Sequence, residues 1–487
     1  MSGTMAAVAF RRIAVVRVCF AIFFCAASAA AQQADQAGQE KLSQRVSQLV
    51  TAYENATKAV VGVSGVDLRS GRTILGIRPA EQRIPASNQK LLTAAFILAR
   101  FGGEHKFVTT VYRRGNDVVV VGGYDPTLGD PVLADAPGKS IYDDLDGWAA
   151  AISRSFDKKL QGDILLSLRG EAFRHPDWPK NEYGTWYAAP VSAINFNNNC
   201  LDVSFQTGSK GLEAVVSPES RFIRVVSEVK PGGRNVWSMR TSADDSVVTL
   251  TGTATARKSW PLSVPIDNPP LLLGRVLADR IVRAGVEFTG QARTVAPLVP
   301  KEAGMTELAS TAAPLAAVLE RANKRSLNMA AECMLLRAGD GTWRRSAKMM
   351  AETLVKTYGL EEKDLAVSDG CGLSRKNRVA PAALTRILAA IAGGKDAAVL
   401  IKSLPVAGVD GTMNRRLTEA KYRGRVAAKT GYILGVSTLS GYVLDKEGKC
   451  VAAFSILAND VPAGKAWQAK DLQDAICRAL VDWADGG

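Results

Sequence analysis

Three short stretches carry residue types that could form an acyl-serine without help from histidine. The first is Ser87-x-x-Lys90, in "PASNQKLLTAA". A serine hydroxyl is a weak nucleophile until a neighbouring base takes its proton. His105 and His175 are the only histidines, so a Ser-His-Asp triad or a His-rich metal site has almost no raw material. A lysine can serve as that base if burial disfavours its ammonium form. The spacing puts Ser87 and Lys90 one turn apart on one helix face, with Ser87 where the helix dipole favours developing negative charge. Spacing alone is a weak signal, because Ser155-x-x-Lys158, in "SFDK", repeats it in a charged stretch. The second stretch is Ser326-x-Asn328 in "KRSLNMAAECMLL", which on its own reads as helix capping. The third is Lys429-Thr430-Gly431 in "AAKTGYILG", where an isolated lysine would be an exposed strand charge.

The elements around these stretches suit the chemistry. "SNQKLLTAAFILARFGG" predicts a strongly apolar, hence buried, helix with Ser87 or Asn88 at its start and Gly102 and Gly103 at its stop. Before it, "RVSQLVTAYENA" has helical periodicity, and "AVVGVSGVDLRSG" and "TILGIRP" read as two strands. Near the other end, "RVAAKTGYILG", "STLSGYVLDKEGK" and "CVAAFSILAND" read as three strands followed by an amphipathic helix, "AWQAKDLQDAICRALVDWA". Two early and three late strands can share one antiparallel sheet if the intervening chain is its helical partner or an insertion. The middle supports an insertion: "WAAAISRSFDKKLQGDILL" and "LLGRVLADRIVRAGVEFTGQARTV" share a helix, turn, Gly, strand plan. Between them lies a Gly-, Ser- and Thr-rich strand region, about residues 190 to 269.

Composition sets the outer limits. A chain of 487 residues exceeds what one core usually fills. Arg11, Arg12 and Arg17 precede the apolar run "VCFAIFFCAA" and the small residues Ala29 and Ala31, the layout of a secretory signal peptide cleaved after Ala31. That run is too short to span a bilayer comfortably, and no later segment is long and apolar enough to do so. The formal charge is +14, of which three charges sit on the signal. A basic exported protein suits anionic envelope polymers. No basic run is interleaved with aromatics, so nucleic acid is not an expected partner. Five cysteines remain beyond the signal, Cys200, Cys333, Cys371, Cys450 and Cys477, an odd number whose spacing makes no zinc pattern.

Taken in order, Ser-x-x-Lys, Ser-x-Asn and Lys-Thr-Gly are the motif set of penicillin-recognising serine acyltransferases. The chain resembles the class C low-molecular-mass penicillin-binding proteins, the penicillin-binding protein 4 type of D-alanyl-D-alanine carboxypeptidase and endopeptidase. The resemblance spans nearly the whole mature chain and includes "GGYDPTLG", "WYAAPVSAINFNNN" and "DGCGLSR". It also includes the separation of more than two hundred residues between Ser87 and Ser326, which argues against the compact serine β-lactamases.

The resemblance implies an α+β multi-domain fold: a serine β-lactamase/DD-peptidase-like domain, with a five-stranded antiparallel sheet and helices, carrying two nested inserted domains. Its implied segments are a signal peptide at 1–31, a catalytic domain at 40–105 and 305–487, a second domain at 106–189 and 270–304, and a nested β-rich domain at 190–269. It also implies roles. Ser87 attacks the penultimate D-alanine carbonyl and Lys90 takes its proton. Ser326 relays a proton to the leaving amine, Asn328 binds the substrate backbone, and Lys429 biases the relay. Thr430 and Lys429 receive the terminal carboxylate, Gly431 belongs to the same motif, and the backbone N–H groups of Ser87 and Tyr432 form the oxyanion hole. Arg375 of "GLSR" meets a side-chain carboxylate. No metal or cofactor is implied; the expected partners are peptidoglycan stem peptides and β-lactams, the expected place the periplasm. Departures from the family pattern are Tyr432 for Thr, Cys371 for Ser, Tyr124 for Gly, and Ser167 for an Asp that reads diaminopimelate, with Glu171 a nearby substitute. A β-lactamase, a D-stereospecific esterase or amidase, and a non-catalytic peptidoglycan-binding protein are the alternatives.

Overall fold

The computed structural model describes residues 36–170, 173–209, 211–256 and 261–486. The signal segment 1–31 and Glu171 lie outside the described residues. The chain starts on helix α1 (36–57), whose Leu42, Val46, Val50 and Tyr53 fall on one face and are buried. Strands β1 (Val60–Asp67) and β2 (Thr73–Ile77) follow, then helix α2 (Gln89–Phe101). Later come helix α3 (Asn328–Ala338), strand β3 (Val426–Ile433), strand β4 (Val436–Leu444), strand β5 (Cys450–Asn459) and the closing helix α4 (Ala466–Ala484).

The five strands form one sheet in the order β3-β4-β5-β1-β2, with every neighbouring pair antiparallel. Joining the first two strands to the last three buries the centre of the sheet on both faces, and all nine residues of β4 are buried. Leu439, Val443, Phe454 and Ile456 point into a core shared with α1 and α4. Tyr442, Ala453 and Leu457 point the other way, into the core that holds α2 and α3. Every residue of α2 from Gln89 to Leu98 is buried, which is what its apolar sequence demands. Each fully buried Leu or Phe there contributes roughly 1.5–3 kcal/mol. Lys90 is the side chain this environment does not suit.

The insertion has its own sheet, ordered Ala292–Val295, Ile164–Ser167, Asp117–Val121, Lys106–Arg114, Thr306–Pro314. Ile164–Ser167 and Ala292–Val295 are parallel neighbours, each preceded by a helix (Asp143–Ser155 and Pro269–Arg283), so the repeated helix-turn-strand plan builds two matching halves of one layer. Thr306–Pro314 pairs along its length with Lys106–Arg114, so this sheet runs on to Pro314. Between the halves, two three-stranded sheets occupy the Gly-, Ser- and Thr-rich region. The chain is thus an α+β multi-domain protein with one insertion nested in another. Among the described residues no helix is long and apolar enough to cross a membrane, and all five cysteines are unpaired.

Candidate active site

Ser87 sits in a single 3-10 turn, Ala86–Asn88, and the α-helix proper begins only at Gln89. The sequence suggests a helix running straight from Ser87; the difference arises because Ala86 has φ +46, which breaks the helical path just before the serine. A left-handed alanine costs of order 1–3 kcal/mol and needs surroundings that enforce it. They are visible here. Thr438 on β4 donates to the Pro85 carbonyl at 2.8 Å. The Asn88 side chain donates to the Lys429 carbonyl at 2.7 Å and accepts from Ser440 at 2.7 Å. The turn carrying Ser87 is therefore stitched to the strand carrying Lys429.

Lys90 is fully buried, and its Nζ lies 3.0 Å from Ser87 Oγ, 2.7 Å from Asn328 Oδ1 and 2.8 Å from the Cys371 carbonyl. Burial lowers its pKa and outweighs the opposing attraction of Cys371, Asp369 and Glu332. A neutral amine has two N–H donors and one lone pair. Asn328 and the Cys371 carbonyl can take the donors, which leaves the lone pair facing the Ser87 hydroxyl.

Ser326 does not open α3, as its position suggests; it lies two residues outside, at φ +56, with Leu327 extended and Asn328 first in the helix. That left-handed turn brings Ser326 Oγ within 3.0 Å of Lys429 Nζ. Lys429 is likewise fully buried, not an exposed strand charge, and also donates to the Thr430 carbonyl at 2.7 Å. Burial pushes its pKa well down, and the neighbouring Lys90 adds to the effect. Asn328 turns its amide N–H to the Tyr187 carbonyl at 2.7 Å, which fixes its oxygen toward Lys90.

Gly431 is the position in β3 where a side chain cannot fit: a Cβ there would lie 2.1 Å from Thr438 Oγ1 and 3.0 Å from both the Pro85 carbonyl and Ser87 N. Thr430 points away from that crowding and donates to Thr412 at 2.8 Å. Tyr432 is 57% exposed, its ring at the rim and its backbone in the strand. Arg375 is exposed and grips the Leu434 carbonyl with both terminal nitrogens at 2.8 Å, beside the hairpin that follows Tyr432. The structure thus gathers Ser87, Lys90, Ser326, Asn328, Lys429 and Gly431 at one locus, with Thr430, Tyr432 and Arg375 along its edge.

Several supporting residues escaped the motif reading. Glu332, fully buried on α3, accepts from the backbone N–H groups of Gly370 and Cys371 at 2.9 and 2.7 Å. Burial, reinforced by Asp369, raises its carboxyl to about 8. Asp369 accepts from Gly372 and Ser374 backbone, Asn377 and Trp178 at 2.6–3.0 Å. With the Cys371 thiol, these carboxylates have ligand-type atoms within 4.8 Å of one another. Their oxygens are already engaged by N–H donors, so the cluster shapes the loop whose Cys371 carbonyl holds Lys90. An acid amid the apolar "MAAECMLL" was the available signal for Glu332; the carbonyl contributions of Tyr187 and Cys371 leave no trace in residue type.

The departures also find places. Tyr124 adopts φ +64, the conformation for which glycine is the easy residue, and its hydroxyl donates to the Arg169 carbonyl. Ser167 is buried and accepts from Leu298 N at 2.9 Å. His105 stacks on Phe101 with centroids 4.5 Å apart, and His175 packs against Trp343.

A sheet flanked by helices, with a serine in the turn that leads into a buried helix, a buried lysine in that helix's first turn and a second Ser–Lys contact opposite, defines the class of penicillin-recognising serine acyl enzymes. The model of the D-Ala-D-Ala carboxypeptidase 3 (S13) family matches residues 42–482, and the chain belongs to that family. It is 30% identical over 465 residues to a D-alanyl-D-alanine carboxypeptidase of Actinomadura sp. (strain R39), covering 88% of this chain and 82% of the relative. It is 26% identical over 413 residues to the D-alanyl-D-alanine carboxypeptidase DacB of Haemophilus influenzae, covering 80% and 84%. In fold it is similar to the crystal structure of penicillin binding protein 4 from Haemophilus influenzae, with TM-score 0.72, 22% identity and coverage of 89% of this chain and 98% of that one.

Proposed function

We propose that the chain is an exported, periplasmic serine D-alanyl-D-alanine carboxypeptidase that also cuts D-alanyl cross-links between peptidoglycan stem peptides. The observation that carries this reading is the fully buried Lys90, aimed at Ser87 Oγ from 3.0 Å. Neutral Lys90 takes the serine proton as Oγ bonds to the penultimate D-alanine carbonyl. The backbone N–H groups of Ser87 and Tyr432 face the resulting oxyanion, a contribution typically of several kcal/mol. The C–N bond then breaks, and Ser326, polarised by Lys429, passes its proton to the departing amine and is reprotonated by the proton that Lys90 took, which leaves Lys90 neutral again for the attack of water. Lys429 and Thr430 hold the terminal carboxylate, and Arg375 meets a carboxylate on the substrate side chain. Water finally attacks the ester and frees Ser87. A β-lactam enters by the same acylation and leaves slowly.

Residues 40–105 and 315–487 form the catalytic domain, 106–189 and 270–314 the second, and 190–269 the nested third; the pairing of Thr306–Pro314 supports moving the boundary to 315. The test is gel labelling with a fluorescent penicillin, beside D-alanine release from a pentapeptide, for wild type, Ser87→Ala and Ser155→Ala. A stable label and D-alanine release, both lost only in Ser87→Ala, are expected. An unlabelled wild type means a non-catalytic binding protein, and a label gone within seconds means a β-lactamase.

A further inference from the structure

A cleft of about 600 Å³ opens beside the site, within the roughly 300–1,000 Å³ usual for small-molecule sites. Leu327, the residue between Ser326 and Asn328, forms part of its wall, so the cleft adjoins the segment that carries two of the reacting groups. Trp186, 47% exposed, and Val132 supply apolar surface. Trp186 directly precedes Tyr187, whose carbonyl orients Asn328, and the two rings meet edge to face at 5.9 Å.

Two buried polar atoms on residues of this wall have no partner within the protein. Arg321 is only 5% exposed and gives its Nε to Asp130, yet its Nη1 has no partner. Asn198 Oδ1 is buried without a partner as well. Asn198 is the middle of three successive asparagines, Asn197 to Asn199, all at positive φ between 49 and 57. Buried polar groups without partners and strained backbone both cost free energy and concentrate at ligand sites. Charge selects among ligands: Asp135 and Asp202 line the cleft and Asp130 backs Arg321, offsetting the guanidiniums of Arg321 and Arg325. An acidic stem peptide gains nothing there. A neutral ring with apolar C–H faces for the indole, and hydroxyl and acetamido groups for planar polar side chains, fits.

We propose that this cleft is a saccharide subsite that takes the N-acetylated amino sugars to which the stem peptide is attached. The inference rests on the peptidoglycan peptidase reading and extends it from the scissile bond to the glycan. Two measurements on the full mature chain test it. Titration with N,N′-diacetylchitobiose, read by tryptophan fluorescence, is expected to saturate for wild type and Trp186→Phe but not for Trp186→Ala. In parallel, Trp186→Ala is expected to raise KM for a disaccharide-linked pentapeptide about tenfold more than for the free pentapeptide, with penicillin labelling confirming that the variant is folded. An equal rise on both substrates would mean that the cleft reads peptide or only supports Tyr187, and would overturn the proposal, as would wild type that neither binds the sugar nor distinguishes the two substrates. Failure of the peptidase reading shows separately, as absence of both penicillin label and D-alanine release, while the sugar titration still decides the subsite.

Discussion

Ser87–Lys90 and Ser155–Lys158 have the same spacing and almost nothing else in common. The first pair sits where a buried helix begins, with Lys90 sealed from solvent and 3.0 Å from its serine. The second falls where a helix ends: Ser155 is the last residue of Asp143–Ser155, and Asp157 and Lys158 take left-handed turns at φ +47 and +60. Ser155 lies 3.4 Å from an Arg113 nitrogen, and Lys158 is exposed. A Ser-x-x-Lys spacing therefore acquires chemical meaning from the end of the helix it occupies and from burial of the amine. At a helix start the backbone N–H groups face the serine; at a helix end they do not.

The widest gap between the two pairs is expected on removing each amine. Lys90→Met should slow penicillin acylation by about 10²–10⁴-fold, the usual worth of a general base, whereas Lys158→Met should leave the stopped-flow rate within about twofold of wild type. The pH profile sharpens the contrast. A protonated Lys90 cannot accept the serine proton, so acylation rises as pH climbs through its pKa, which burial places below that of an ordinary lysine. An acid limb at the ordinary lysine value would break the assignment of Lys90 as base.

The next effect concerns the strand that only the Ser87 pair possesses. Gly431→Ala inserts a methyl group 2.1 Å from Thr438 Oγ1 and 3.0 Å from Ser87 N, so β3 or the Ser87 turn must shift. Loss of one oxyanion donor typically costs 10²–10³-fold, and acylation should fall by about that much. Gly448→Ala, in the exposed turn between β4 and β5 where a Cβ meets nothing within 4 Å, strains only its own turn at φ +84 and should leave acylation intact. Equal acylation rates in the two variants would remove β3 from the account.

The contrast also marks how far the sequence was legible. The sheet could be read because each of its strands carries its own alternation and turns, and the buried α2 because ten consecutive residues had to find a core. Two details were not legible. Ala86 and Ser326 adopt positive φ through contacts with elements far away in sequence, which local propensity does not encode. The carbonyls of Cys371 and Tyr187, which hold Lys90 and Asn328, belong to the backbone, so no residue type announces them.

A smaller effect is expected behind the pair. Glu332→Leu removes the acceptor for Gly370 and Cys371, and each unmet buried N–H costs about 1–3 kcal/mol. Denaturant unfolding should show a loss of that order, with slower acylation because the Cys371 carbonyl is no longer fixed. Glu332→Gln retains an acceptor oxygen and should recover most of both. Ser155 Oγ, by contrast, meets an Arg113 nitrogen only at 3.4 Å, and Ser155→Ala should leave the unfolding midpoint nearly unchanged.

The smallest effect should follow from Cys371→Ser, which restores the residue common in the family. The Cys371 thiol is fully buried, and burial drives its pKa well above the ordinary thiol range, so it is neither a ready nucleophile nor a base. It donates weakly to Asp369 Oδ2 at 3.8 Å, with Glu332 close by. What Lys90 uses is the Cys371 carbonyl, which the substitution leaves in place. Acylation by penicillin should therefore stay within about threefold of wild type, and a thiol reagent should leave native wild type active while reaching Cys371 only after unfolding. A large loss in Cys371→Ser would show that the sulfur itself, and not the backbone it carries, sets the state of Lys90.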